Sequence, residues 1–159
     1  MNTIILSALS GIILMFSGFY IKNNRALNIL SVILFFGMII GGIFELKGCT
    51  MLAGKFDNMI TESLYGISFF IALAALAIFY LLLNKDSFGK VGKHVAEYYA
   101  LIFFSFTGIA VLAQFHNLVI MFLGIELMSI PMYIIAGANK ESIKSTEASV
   151  KYFLMGAFS

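Results

Sequence analysis

The sequence predicts an all-α fold, a bundle of helices that crosses a membrane several times. Hydrophobic residues make up 61% of the 159 residues and charged residues only 11%, whereas about a quarter of a soluble domain is charged. The mean hydropathy is +1.00. The apolar residues lie in blocks long enough to cross a bilayer, which takes roughly 17–25 residues per helix. Because a helix in lipid satisfies its own backbone hydrogen bonds, each block predicts one spanning helix.

The blocks give five complete helices and the beginning of a sixth. They cover residues 4–21, 26–46, 64–83, 98–115 and 118–138, and the sixth starts at about Ser145 and continues to Ser159. The first block has no basic segment before it and no cleavage site after it, so we interpret it as a retained helix. We expect two parts: residues 1–96, with three N-terminal helices and their loops, and residues 97–159, with helices four, five and the start of six.

Basic residues in the loops predict the orientation. Seven Lys and Arg follow helices one, three and five: Lys22, Arg25, Lys85, Lys90, Lys93, Lys140 and Lys144. Only two, Lys47 and Lys55, follow helices two and four. Since cytoplasmic loops carry an excess of Lys and Arg, we expect the N-terminus outside and the odd-numbered loops in the cytoplasm.

Several classes of function are disfavoured by the composition. The net charge of +2 is too small to suggest a nucleic-acid partner. The single Cys49 excludes an internal disulfide, and no glycine-rich nucleotide fingerprint is present. His116 has no second ligand at metal-binding spacing. We therefore expect this chain to bind no cofactor of its own, and its partners to be lipid, protons and other membrane proteins.

Glu126 is the strongest candidate for chemistry. It lies about nine residues into the fifth block, in the stretch FLGIELMSIPMYIIAGA, and so near the middle of the bilayer. An ionisable group at that depth costs at least about 2.5–3.5 kcal/mol on insertion scales, so it should face protein or water. A desolvated carboxyl can serve as a proton relay. The alternative is that Glu126 stays protonated and only hydrogen-bonds a neighbouring helix.

Three residues near Glu126 support an inward-facing polar stripe. Ser129 and Tyr133 follow it at i+3 and i+7, on the same helical face. Pro131, the one proline of the chain, cannot donate to the carbonyl of Leu127, which leaves room for an ordered water. The alternative for Pro131 is a packing kink. The short link after helix four makes helices four and five antiparallel neighbours, with Ser105, Gly108 and Leu112 on one face toward helix five.

Lys151 and Glu45 are weaker candidates. Lys151 lies one turn inside helix six, and Glu147 four residues earlier makes an ordinary surface ion pair the simplest interpretation. Glu45 closes helix two, where we expect it to be solvated. Small and polar residues repeat along helix six at helical spacing and indicate a packing face; they are Ser145, Ser149, Tyr152, Gly156 and Ser159.

Residues 97–159 resemble the family of subunit N of bacterial NADH–quinone oxidoreductase, the membrane-bound respiratory complex I. The motifs are EYYALIFFSFTGIAVLA, LGIELMSIPMYIIAG and STEASVKYFLMGAFS, and KYFLMGAFS favours this subunit over other antiporter-like subunits. Residues 1–96 agree in hydropathy and topology only.

The resemblance implies an antiporter-like fold of two inverted halves, each with a broken helix. In that family the fifth-helix glutamate, here Glu126, pairs with a seventh-helix lysine on a proton pathway. Lys151 falls on the sixth-helix lysine of the motif. Family members are much longer, so we expect an N-terminal portion, truncated in helix six.

The function that this implies is that of a non-redox subunit of a proton-pumping translocase in the bacterial plasma (inner) membrane. Its partners would be other complex I membrane subunits, and NADH, flavin, iron–sulfur clusters and quinone would bind in other subunits. Two alternatives stay open: a cation/proton antiporter or membrane-bound hydrogenase subunit of the same fold, and a short scaffold or assembly protein.

Overall fold

A computed structural model describes residues 1–21, 23–49, 59–61, 63–84, 95–139 and 142–158. These residues form six α-helices, which follow in chain order: α1 Asn2–Tyr20, α2 Asn24–Leu46, α3 Leu64–Leu83, α4 Val95–Ala113, α5 Leu118–Ala136 and α6 Ile143–Ala157. The first five are long and apolar enough to cross a membrane. The predicted multi-pass helical bundle is thus confirmed, and each predicted block coincides with one helix.

Polar side chains set the starts of several helices. The Asn23 side chain accepts a hydrogen bond from the backbone N–H of Arg25 and caps α2. Asn117 accepts one from Ile120 and caps α5. Such caps satisfy backbone donors that a helix cannot pair within its first turn. They fix where the chain enters each helix.

The four N-terminal helices enclose one core. α1 packs between α2 and α4, α2 packs on α3, and α4 continues the bundle to α5. Phe35 of α2 packs against Phe103 of α4 with the rings tilted by 35° and their centroids 4.2 Å apart, and Phe106 meets Phe35 edge-on at 4.9 Å. These aromatic contacts pack α2 and α4 together at the centre of the bundle.

The link before α3 and the link between α4 and α5 meet at one end of the bundle. The backbone N–H of Thr61 donates to the carbonyl of Gln114 at 2.8 Å, and that of His116 donates to Met59 at 3.1 Å. The two links therefore lie on the same side, as expected for helices that alternate in direction.

The last two helices are much less covered than the first four. Within the described residues, Gly124 and Pro131 are the buried positions of α5, and α6 has none. α5 packs on α4, and α6 packs on α5. The candidate residues of the second predicted part thus lie on an open layer beside a packed bundle.

Candidate functional site

The α4–α5 hairpin positions Glu126. Gly108 lies directly against the backbone of Met128, where an added Cβ would collide, and Leu112 fills the space over Gly124. The Ser105 hydroxyl donates to the carbonyl of Met128 at 3.4 Å. The prediction that α4 and α5 are close antiparallel neighbours is confirmed, and the face of α4 that carries Ser105, Gly108 and Leu112 is the face in contact with α5.

Glu126 itself is half-buried in the middle of α5. Among the residues that the structure describes, none makes a hydrogen bond or an ion pair with its carboxyl group. Gly124 and Met128 on either side of it meet α4, whereas Glu126 does not join that contact by any polar interaction. The carboxyl group is thus held at membrane depth with its hydrogen-bonding capacity unused within the described part of the chain.

The supporting residues on α5 make contacts of their own. The Ser129 hydroxyl donates to the carbonyl of Ile125, one turn back, and Pro131 is buried within the helix. Tyr133 points to α6, where its ring meets Tyr152 edge-on with centroids 5.0 Å apart. The structure therefore places these residues on the same helix as Glu126 without joining them to it by hydrogen bonds.

The predicted packing face of α6 is confirmed over its described positions. The Ser145 hydroxyl donates to the carbonyl of Ala136 at 2.8 Å, and the Ser149 hydroxyl donates to that of Tyr133 at 2.7 Å. Gly156 admits the Tyr133 ring at close range. Ser159 lies outside the described residues. Serine hydroxyls that bond to a neighbouring helix and glycines that admit it are typical of helix contacts in membranes.

Lys151 lies away from that face. Its ammonium group pairs with Glu147, one turn earlier, and the two side chains are 68% and 56% exposed. This is the ordinary i, i+4 pair that the sequence indicated. A role for Lys151 in proton transfer stays a prediction.

The expectation that Glu45 is solvated is wrong. Glu45 is only 3% exposed, and its carboxylate accepts hydrogen bonds from the α-amino group of Met1 and from the backbone N–H of Thr3, the latter at 2.9 Å. The side-chain amide of Gln114 donates to the Thr3 hydroxyl at 2.7 Å. We refer to Met1, Thr3, Glu45 and Gln114 as the Glu45 cluster.

The reason for the burial of Glu45 is the meeting of three helix ends. α1 begins where α2 and α4 end, so the unpaired N–H groups and positive dipole end of α1 face the carboxylate. A glutamate at the end of an apolar block gives no sign of this in the sequence. The signal is distributed over Thr3, Glu45 and Gln114, which lie far apart along the chain.

Across the described ranges, no three His, Cys, Asp or Glu side chains gather where they could hold a metal ion. Glu126 and Pro131 share α5, whereas Lys151 lies on α6 in its exposed pair with Glu147; the structure does not bring Lys151 to Glu126.

Residues 113–159 match the model of the family described as NADH:quinone oxidoreductase/Mrp antiporter, transmembrane. The matched segment begins at the end of α4 and contains all of α5 and α6, with Glu126 and Lys151. The chain therefore resembles the antiporter-like class of membrane proteins in the region of the candidate site.

Within this class, the chain is most clearly similar to proteins of one kind. NADH-quinone oxidoreductase subunit N of Cytophaga hutchinsonii is 34% identical over 99% of this chain and 34% of its own length. That of Trichlorobacter lovleyi is 33% identical over 100% of this chain and 32% of its own length. Subunit N 1 of Chloroherpeton thalassium is 45% identical over 41% of this chain and 14% of its own.

The resemblance to subunit N is thus confirmed, and it extends from the motifs of α4 to α6 over α1–α3. The chain spans about a third of the length of the curated relatives that it matches over most of its own residues.

Proposed function

We propose that this chain forms part of a membrane subunit of a proton-pumping NADH–quinone oxidoreductase. The names of the relatives and the five membrane-length helices support this. In this proposal the subunit transfers protons, driven by quinone reduction in neighbouring subunits. NADH, flavin, iron–sulfur clusters and quinone bind elsewhere in the assembly, and the partners of this chain are other complex I membrane subunits.

The observation that carries the proposal is the carboxyl group of Glu126, which has no hydrogen-bond or ion-pair partner among the described residues. A carboxyl group at membrane depth is costly to insert and marks ion pathways more often than packing sites. In general, a positive charge that approaches a carboxyl group favours its ionised form. In the proposed mechanism a lysine of the complete protein approaches and withdraws, and Glu126 releases and takes up a proton in response.

The other candidates take supporting roles in this mechanism. Pro131 leaves the carbonyl of Leu127 without its helical donor, and a water bound there would lie next to Glu126. Ser129 and Tyr133 lie on the same helical face and extend this polar stripe. Lys151 would pass protons between Glu126 and the cytoplasmic side. Its exposed ion pair with Glu147 contributes only about 0.3–0.5 kcal/mol, so Lys151 can leave Glu147 for another partner at little cost.

The proposed location is the bacterial plasma (inner) membrane. The N-terminus would lie outside and the links after α1, α3 and α5 in the cytoplasm. These links, with the first residues of the helices that follow them, hold seven of the nine Lys and Arg that lie between helices or at helix ends. The Glu45 cluster would then lie at the outer surface. The division into residues 1–96 and 97–159 stays a prediction, in which α4 begins the first proton-translocating half.

The test is Glu126→Gln in the full-length protein within its membrane. Glutamine keeps the shape of the side chain and removes the ionisable group. We expect assembly close to wild type on native gels, loss of most NADH-driven proton pumping in inverted vesicles, and slower quinone reduction. Electron transfer from NADH to a soluble artificial acceptor should be unchanged, because it does not require proton movement.

Glu45→Gln is the matched control, since it makes the same chemical change in another glutamate of an apolar helix. We expect less assembled protein but normal pumping per assembled complex. Wild-type pumping by Glu126→Gln would overturn the proton-site proposal. Reduced abundance with normal pumping in both variants would favour the scaffold alternative.

A cation/proton antiporter subunit is the second candidate, because the matching family description includes Mrp antiporters. In that case inverted vesicles with an imposed proton gradient should show sodium-dependent proton movement without NADH, and Glu126→Gln should abolish it. The NADH-driven assay would show no effect of the substitution.

A further inference from the structure

A groove opens on the outside of the bundle where α2 begins and α3 ends. It encloses about 660 Å³, within the roughly 300–1,000 Å³ range of small-molecule sites. Its walls are mostly aliphatic and aromatic, with one cation and one amide at the end near the start of α2. The lining residues are Arg25, Asn28, Ile29, Val32, Ile33, Phe36 and Leu82.

We propose that this groove binds one anionic phospholipid, with its phosphate on Arg25 and an acyl chain along Ile29, Ile33 and Phe36. These residues recur on one face of α2 at helical spacing. Their side chains are exposed in the bundle, at 62%, 59% and 52% respectively. In a membrane this face therefore meets lipid or another helix.

The length of the groove favours a lipid over a helix. Arg25 and Phe36 are eleven residues apart, which is about 16 Å at 1.5 Å per residue. Half of a hydrocarbon core about 30 Å thick is about 15 Å. The groove thus runs from the membrane surface to the midplane, the depth of one leaflet.

The polar end of the groove suits a phosphate. Within the described residues, the guanidinium group of Arg25 has no hydrogen-bond or ion-pair partner. Its planar fork can bind two phosphate oxygens at once. The side-chain amide of Asn28 is already used, since it donates to the carbonyl of Leu81 at 3.3 Å and joins α2 to α3. Arg25 is therefore the group that selects negative charge.

The experiment measures the binding of radiolabelled phosphatidylglycerol to immobilised full-length protein, purified in mild detergent with the subunits that accompany it. Arg25→Gln should weaken the saturable binding about fivefold, because one basic residue near the surface contributes about that factor. Lys144→Gln removes an exposed cation at the start of α6, on the same side of the bundle, and should bind like wild type. Phosphatidylcholine should bind equally weakly to all three proteins.

A second pair of variants tests the apolar part. Ile33→Trp fills the groove and should abolish saturable binding while Arg25 is intact, whereas Ile40→Trp, on the same helix outside the groove, should not. Unlabelled inorganic phosphate at millimolar concentration should not displace the lipid, since it lacks the acyl chain.

Three binding results would overturn the proposal. They are equal loss of binding in Arg25→Gln and Lys144→Gln, equal binding of phosphatidylcholine and phosphatidylglycerol, and unchanged binding in Ile33→Trp. A crosslink from Ile33 to a neighbouring subunit would also overturn it, because the groove would then be a protein interface.

Discussion

Glu45 and Glu126 are glutamates in apolar, membrane-length helices, and their surroundings are opposite. Glu45 lies at the end of α2, is 3% exposed, and accepts hydrogen bonds from the start of α1. Glu126 lies in the middle of α5, half-buried, with no polar partner in the described ranges. The hydrogen bonds to Glu45 come from the fold itself, so this carboxylate holds the ends of α1 and α2 together. The carboxyl group of Glu126 has no such partner among the described residues, and it can respond to a charge brought from elsewhere.

The same contrast extends to the helices themselves. In α4, half of the membrane-length window is buried, whereas in α5 only 11% of it is. The apolar buried positions of α4 belong to the core of the four-helix bundle. α5 meets α4 at Gly124 and Met128. Glu126 thus lies half-buried on the less covered helix of this pair.

The largest expected effect is the loss of stability when Glu45 is substituted. Glu45→Ala leaves the buried N–H of Thr3 without its side-chain acceptor and the α-amino group of Met1 without its ion-pair partner. Removing one partner of a buried ion pair costs about 3–5 kcal/mol, so the free energy of unfolding in detergent should fall by about that amount. Denaturant titration of the full-length protein measures it. A change below 1 kcal/mol would contradict the burial of this carboxylate.

The next largest expected loss of stability follows substitution of Gly108. In Gly108→Ala the added Cβ meets the backbone of Met128, so α5 must shift, and overpacking of this kind costs about 1–3 kcal/mol. Gly37→Ala is the matched control, with nothing within 4 Å of the added Cβ, and should be neutral or stabilising by up to about 1 kcal/mol. Equal stabilities for the two variants would show that α4 and α5 do not approach closely.

A smaller effect is expected for Glu126→Gln on stability. Because the described residues supply no partner to lose, the free energy of unfolding should change by less than about 0.5 kcal/mol, while proton pumping is lost. Substitution of Glu45 would then lower mainly the free energy of unfolding, and substitution of Glu126 would lower mainly proton pumping. A stability loss as large as that of Glu45→Ala would remove the distinction between them.

The smallest effect is expected for Lys151→Gln. Its exposed pair with Glu147 contributes about 0.3–0.5 kcal/mol, so stability should fall by no more than that. If Lys151 takes part in proton transfer, pumping per assembled complex should fall in this variant and should be retained in Lys144→Gln, which removes a cation from the same helix. Equal pumping in the two variants would assign Lys151 to the surface pair alone.

Much of the fold could be predicted from the sequence because the lipid bilayer restricts the structures that an apolar segment can form. Apolar blocks of membrane length can only be helices in lipid, and all six helices lie where the blocks predict them. The short link between α4 and α5, residues 114–117, allows only an antiparallel hairpin. The stripe from Ser145 to Gly156 predicts the face of α6 that contacts α5. The position of Glu126 in the middle of its apolar block predicts that an ionisable group lies near the middle of the membrane.

The sequence by itself thus determined the helices, their alternation and the unusual position of Glu126, since each depends on local pattern and on the cost of polar groups in lipid. Tertiary structure decided which polar residues find partners. Thr3, Glu45 and Gln114 meet because three helix ends converge, and Tyr133 turns to Gly156 because α6 packs on α5. Such contacts join residues far apart along the chain, and no local pattern specifies them.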